Sequence, residues 1–348
     1  MPRIIDTELF SLIHDFFKDY LPGQRHCSEH TIRAYRSSLD SLLEHVMAEK
    51  QTGLSQITFE MIDSKMIISY LDSVEEGGCS ISTRNHRLKC IRSFFDYAAK
   101  FNAATVIYLL EIQKVPMKNH EKPDVVDYMS ETAITVLLEQ PDTSTRKGFR
   151  DCFFMMLIYD SAARVQEMLN IRLKDIKLDK TPTVTLYGKG SKIRTVPIMK
   201  QTAEYCAAYL KMFHPDEPGY SESHLFYTVI HGLQKPLDSS TVRRFMYSYG
   251  DSARNVCTEI PAKVHPHLFR HSRAMHLYRH GMDLSLISQW LGHAQIETTL
   301  IYAHADTEQK RIAIEKATAE GSPLREVLQS ERFIVSDVDV LKKLYGLK

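Results

Sequence analysis

Apolar residues recur three and four positions apart through most of residues 6–115, and that period leaves little room for anything but a helical bundle. In "DTELFSLIHDFFKDYL" the stripe is carried by Leu9, Leu12, Ile13, Phe16 and Phe17. "SEHTIRAYRSSLDSLLEHVMAE" opens on Ser28, a good helix cap, and repeats Ile32, Tyr35, Leu39, Leu42, Leu43 and Val46. "TFEMIDSKMIISYLDSVEEGG" ends on the stop signal Gly77 and Gly78. "SISTRNHRLKCIRSFFDYAAK" sets Leu88, Ile91, Phe94 and Phe95 on one face, its basic residues largely off it. A small bundle of short amphipathic helices is therefore expected over residues 1–115.

The period fails in "PMKNHEKPDVVDYMS", where Pro116 and Pro123 stand among charged residues, so 116–130 reads as a linker. A second domain, 131–318, opens with helices that include the strongly apolar "FRDCFFMMLIYDSAARVQEML". At "TPTVTLYGKGSKIRTVPIM" the pattern becomes β-branched: a strand, a turn on Gly188 and Gly190, and a second strand closing at Pro197. Helices are expected again up to 318, and 319–348 forms an extension. The fold class is mainly α with a small antiparallel β-sheet in the C-terminal domain (α+β). A length of 348 residues fits two domains, and 43% hydrophobic residues supply their cores. No run of eighteen apolar residues and no charged-then-apolar leader occurs, so no membrane span or secretory signal is expected. Six cysteines without a C-x-x-C pair suit the cytoplasm.

A net charge of +1 does not favour nucleic acid, but phosphate is met by local basic stripes rather than by the whole-chain sum. Such clusters are Arg84, Arg87, Lys89 and Arg92; Lys189, Lys192 and Arg194; and Lys263, Arg270, Arg273 and Arg279. Taken alone, each reads equally well as a solvated face.

"HLFRH", residues 267–271, offers two chemistries: histidines at i and i+4 can hold zinc, while His267 and Arg270 at i and i+3 can grip a phosphate. A zinc hydrolase needs H-E-x-x-H with its glutamate as general base, but position 268 is leucine and no cysteine or acidic cluster follows at ligand spacing. Zinc is the weaker reading. Pro266 and Gly281 bound one helix, on which His267, Arg270, His271, Ala274, Leu277 and Tyr278 share a face opposite Arg273, His276 and His280. The first face turns apolar towards its C-terminus, which points His267 and Arg270 into a site. "MDLSLISQWLG" then gives a short helix capped by Asp283 and ended by Gly292, with His293 just beyond; Tyr302, alone, reads as an ordinary aromatic.

H-x-x-R-H, then L-G-H, then a tyrosine nine residues on resembles the C-terminal signature of the tyrosine recombinases, the phage-integrase family. "AARVQEM" resembles that family's first arginine box and gives Arg164; "GKGSKIRTVPI" resembles its β-hairpin, whose turn lysine is Lys189. The match spans about 125–310 by these boxes, and "SEHTIRAYRSSL" resembles more weakly the family's helical core-type DNA-binding domain. The resemblance implies a catalytic set of Arg164, Lys189, His267, Arg270, His293 and Tyr302, acting on double-stranded DNA without metal, cofactor or ATP.

In that chemistry Tyr302 attacks phosphorus to give a 3′-phosphotyrosine, Arg164 and Arg270 neutralise the non-bridging oxygens, and His293 and His267 add hydrogen bonds. His267 is the candidate base and Lys189 the candidate acid for the 5′-oxygen. Glu167 either orients Arg164 or forms a surface ion pair, and His271 is read as structural support behind the site. Lys192 and Arg194 beside the hairpin turn, with Arg84, Arg87, Lys89 and Arg92 in the N-terminal domain, are the expected phosphate contacts. Self-association on DNA as a synaptic tetramer is implied, with 319–348 as the candidate protomer–protomer contact. A mobile-element integrase or transposase is favoured by that long tail; a Xer-type chromosome or plasmid dimer resolvase is the alternative, favoured by the two-domain layout. A catalytically silent DNA-binding protein and a zinc hydrolase are rivals from other classes.

Overall fold

Asp6 starts the first helix, α1 (Thr7–Asp15): one carboxylate oxygen accepts the Leu9 amide at 2.9 Å and the other the Phe59 amide at 3.1 Å. The computed structural model describes residues 4–119, 127–188, 192–293, 297–305 and 311. A π-helical segment, Phe16–Gln24, continues from α1. Ser28, Asp63 and Ser80 then cap α2 (Glu29–Lys50), α3 (Ser64–Glu76) and α4 (Ile81–Phe101), and α5 (Val106–Gln113) follows. Gly78, at φ +83°, supplies the left-handed turn that stops α3. The stripes read from the sequence meet in one core that includes Leu9, Phe16, Leu42, Ile67, Leu88 and Phe94. Each such side chain contributes about 1.5–3 kcal/mol by leaving water.

Contacts divide the chain into two units, Met1–Lys122 and Pro123–Lys348. Residues 127–130, read as the end of a linker, pack within the second: Met129 is buried and its amide donates to Ser272 Oγ at 2.8 Å. Then come α6 (Glu131–Leu138), α7 (Arg146–Ser161) and α8 (Val165–Leu169). A three-stranded antiparallel sheet follows in the order β1 (Ile176–Lys177), β2 (Thr183–Tyr187), β3 (Ile193–Pro197), with β2–β3 in register from Thr183↔Pro197 to Tyr187↔Ile193. Val184, Leu186 and Val196 point into the core, as the two-residue period requires.

After α9 (Lys200–Phe213) the structure departs from the helical expectation and forms a second hairpin, β4 (Tyr227–Ile230) and β5 (Leu233–Pro236). His231 at φ +51° and Gly232 at φ +78° make a two-residue turn whose twist matches paired strands. Helices resume with α10 (Ser239–Arg254), α11 (Pro266–Arg279), α12 (Leu284–Leu291) and α13 (Glu297–Ala305). The main core of this unit includes Phe153, Phe154, Leu157, Tyr209, Phe226 and Phe269. Among the described residues no helix is long and apolar enough to cross a membrane.

Candidate functional site

Two helix C-termini converge on Arg270. Helix α7 ends at Ala162, a buried residue at φ +51°, and α12 ends at Gly292, at φ +64°. Arg270 Nη1 donates to the Ala162 carbonyl and Nη2 to the Leu291 carbonyl, both at 2.7 Å. Carbonyls at helix ends carry partial negative charge, so they hold a cation without cancelling it. Arg270 is only 4% exposed; burial and the neighbouring Arg164 and Arg194 draw its pKa down to about 9, which leaves it charged at neutral pH.

Ala162 also throws the chain outward so that Arg164 stands at the start of α8. A left-handed alanine costs about 1–2 kcal/mol relative to an ordinary backbone. Arg164 is locked by Glu167, which accepts its amide at 2.8 Å and its Nη1 at 2.9 Å. Glu167 is 4% exposed and also receives Arg194 Nη1 at 3.0 Å and Nη2 at 2.7 Å. Burial pushes this carboxyl up, but the Arg194 and Arg164 hydrogen bonds hold it below its usual range. Of the two readings offered for Glu167, orienting Arg164 is the one the burial supports.

Helix α13 packs back onto α11 and α12, bringing Tyr302 to the site of its own chain. The phenol is 1% exposed, and its oxygen lies 2.9 Å from His271 Nδ1. Burial raises Tyr302 to about 12, with Arg270 pulling the other way. His271 falls to about 4 through burial, with His267, Arg270 and His265 adding repulsion. Among the described contacts it is His271, not His267, whose ring touches the phenol. His267 is exposed beside His265, and burial, then His265, Arg270 and Arg164, lower its pKa. His293 shares a 2.8 Å hydrogen bond with the buried Thr299 and is lowered to about 4 by burial, then by Arg270 and Arg164.

Lys189 lies outside the described residues, as does the extension 319–348. The face of α11 opposite the site is covered too: His276 is buried with Nδ1 2.8 Å from Tyr159 Oη, and Arg273 pairs with Asp160 at 3.0 Å. His271 Nδ1 faces the phenol. Among the described residues no group of three His, Cys, Asp or Glu side chains is placed to hold a metal.

The expected phosphate contacts divide. Lys89 and Lys192 are exposed, and Arg87 is half-buried with Nη1 donating to Ser41 Oγ and Tyr70 Oη, both at 2.9 Å. Arg84 is corrected: at 2% exposure it pairs with Glu75 and donates to the Pro116 carbonyl at 2.9 Å. Arg92 is likewise turned inward, onto the Gln113 and Val115 carbonyls. Arg194 is corrected as well, because both Nη atoms go to Glu167 and its Nε donates to the Trp290 carbonyl at 2.9 Å. Helical spacing says which residues share a face but not which element covers that face.

Residues 127–309 match the model of the phage integrase family, and 15–101 match the phage integrase N-terminal SAM-like domain. The integrase/recombinase y4rC of Sinorhizobium fredii is 30% identical over 90% of this chain and 92% of its own length. The chain belongs to the phage integrase family. It is a DNA strand-transferring enzyme of the tyrosine recombinase type, as its motifs imply. Within the family, the tyrosine recombinase XerD of Staphylococcus haemolyticus is 30% identical over 86% of this chain and 96% of that protein. The fold is shared with the XerH recombinase solved on a palindromic difH substrate (TM-score 0.63, 23% identity, 90% and 89% of the two chains). It is also shared with the Tn1549 transposon integrase solved with transposon right-end DNA (TM-score 0.63, 17% identity, 91% and 100%).

Proposed function

We propose that this chain cuts and rejoins double-stranded DNA at specific sites through a 3′-phosphotyrosine at Tyr302, and that it serves integration, excision or transposition of a mobile element. The observation that carries the reading is that one chain supplies both the phenol and a cation: Tyr302 lies 2.9 Å from His271, the residue next to Arg270 on α11.

A phosphodiester under attack gathers charge on its non-bridging oxygens. Arg164 and Arg270 neutralise that charge, and His267 and His293 donate to the same oxygens. The phenol, already in contact with His271, passes its proton to that ring as its oxygen bonds to phosphorus. The bond from phosphorus to the 5′-oxygen breaks, and that oxygen takes a proton from Lys189, the residue the family resemblance assigns. One ester replaces another, so no ATP is consumed and the step runs in both directions. Exposed Lys89 and Lys192 contact backbone phosphates. Four protomers synapse two sites, in the cytoplasm.

Resolution of chromosome or plasmid dimers is the second reading, favoured by XerD relatives that this chain matches over 96% of their length. Recombination of element ends against dimer-resolution sites separates the two.

The chemistry is tested with DNA carrying a nick beside the scissile phosphate, which traps the covalent intermediate. An EDTA-resistant adduct is expected, lost in Tyr302→Phe while binding persists. Binding without any adduct would leave a silent DNA-binding protein, and loss of activity on chelation with stoichiometric zinc would leave the hydrolase.

A further inference from the structure

We infer that Arg194 is a positioning residue that fixes the charge offered to the scissile phosphate: it offsets Glu167, so that the Glu167 needed to hold Arg164 in place does not cancel it. The inference rests on the recombinase reading above.

Arg164 needs an anchor, because it caps α8 two residues after the left-handed Ala162. Glu167 supplies one through two hydrogen bonds. A carboxylate in that position brings a cost: the pair Arg164–Glu167 alone has no net charge, and a neutral pair offers little to an anionic transition state. Arg194 restores the missing unit of positive charge. It does so while turned inward, with its side chain 13% exposed and its Nε, Nη1 and Nη2 each donating within the protein. Arg270 differs in kind: neutral carbonyls hold it, so its charge needs no such offset. With Arg194 the described guanidinium and carboxylate groups sum to two positive charges; without it they sum to one.

The surroundings are shaped around this ion triad. A Cβ at Gly292 would lie 3.0 Å from Arg194 Nη1, and one at Gly188 would lie 3.2 Å from Glu167 Oε1. Arg194 comes from β3, Glu167 from α8 and the Trp290 carbonyl from α12. The triad therefore ties the catalytic hairpin to Arg164 and to the helix that precedes His293.

A buried ion pair kept only for stability would look similar, so the experiment separates charge from folding. Single-turnover formation of the covalent adduct on nicked DNA is measured for Arg194→Gln, Arg194→Lys and the double variant Glu167→Gln/Arg194→Gln. All assays run at saturating protein and well below each variant's melting temperature. Emission from Trp290, the chain's single tryptophan, reports whether α12 stays docked. Arg194→Gln is expected to slow the reaction roughly 100-fold with parental emission, the loss typical of one electrostatic contact at such a centre. Removing the carboxylate as well leaves Arg164 uncancelled, so the double variant is expected to be about tenfold faster than Arg194→Gln, and Arg194→Lys faster still.

A folded Arg194→Gln that reacts at the parental rate, or a double variant no faster than the single, would overturn the inference. If Arg194→Gln does not fold, the double variant carries the test, and a rate more than roughly 100-fold below the parent overturns it. Failure of the parent to form any adduct while it binds DNA would instead refute the recombinase reading, and the inference with it.

Discussion

His271 Nδ1 sits 2.9 Å from the Tyr302 hydroxyl, linking the fifth residue of "HLFRH" to a phenol thirty-one positions away. His271→Ala is therefore expected to slow covalent-adduct formation by roughly 10²- to 10⁴-fold, the range for a general base, with little change in DNA affinity. His267→Ala, which removes the proposed hydrogen bond to the phosphate, is expected to weaken adduct formation without moving the pH profile. Single-turnover rates against pH check both, and an unshifted profile in His271→Ala would return the base role to His267.

The same histidines make stability depend on pH. His271 and His293 have folded-state pKa values near 4, against an ordinary 6.5, so between those values the unfolded chain binds more protons than the folded one. Stability then rises with pH across that window, and acidification from about pH 6.5 towards 4 destabilises the second unit. Melting temperature followed over that range is expected to fall, and His271→Gln to fall less steeply. Parallel curves for the two proteins would contradict the assignment.

Arg270 holds two helix ends as well as being the proposed phosphate ligand. Arg270→Met leaves the Ala162 and Leu291 carbonyls without donors, a loss of roughly 2–6 kcal/mol at about 1–3 per unsatisfied group. Arg270→Lys keeps the charge but cannot span both carbonyls. Urea denaturation is expected to rank stability as parent, lysine, methionine, with adduct formation undetectable in the methionine variant.

Arg84 and Lys89, both on α4, are expected to behave in opposite ways. Arg84→Ala leaves the Glu75 carboxylate to Lys118 alone and opens the Pro116 contact, so melting temperature falls while the salt dependence of DNA binding is unchanged. Lys89→Ala leaves melting unaffected and lowers the slope of log affinity against log salt by about one. A reduced slope in Arg84→Ala would mean that its guanidinium leaves the core on DNA.

Much of this was legible because local chemistry and tertiary need agree. Ser28 and Ser80 cap where capping residues should, Thr183 to Tyr187 alternate, and Pro266 and Gly281 bracket α11. The β4–β5 hairpin was missed because Val229, Ile230 and Leu233 face outward, so its strands lack the buried–exposed alternation that betrays β2. The triad was half read: Arg164 and Glu167 are one helical turn apart, but Arg194 arrives from another strand. Arg84 was misjudged since a cation facing its own Glu75 is spelled like one facing DNA. The contact of His271 with Tyr302 needed the path of α13, which no motif encodes.

The depth of Tyr302 has a further consequence. Only 1% of Tyr302 is open to water, so the proposed attack on phosphorus requires α13 to shift first. On the proposed reading, the nucleophile is therefore sheathed until that helix moves.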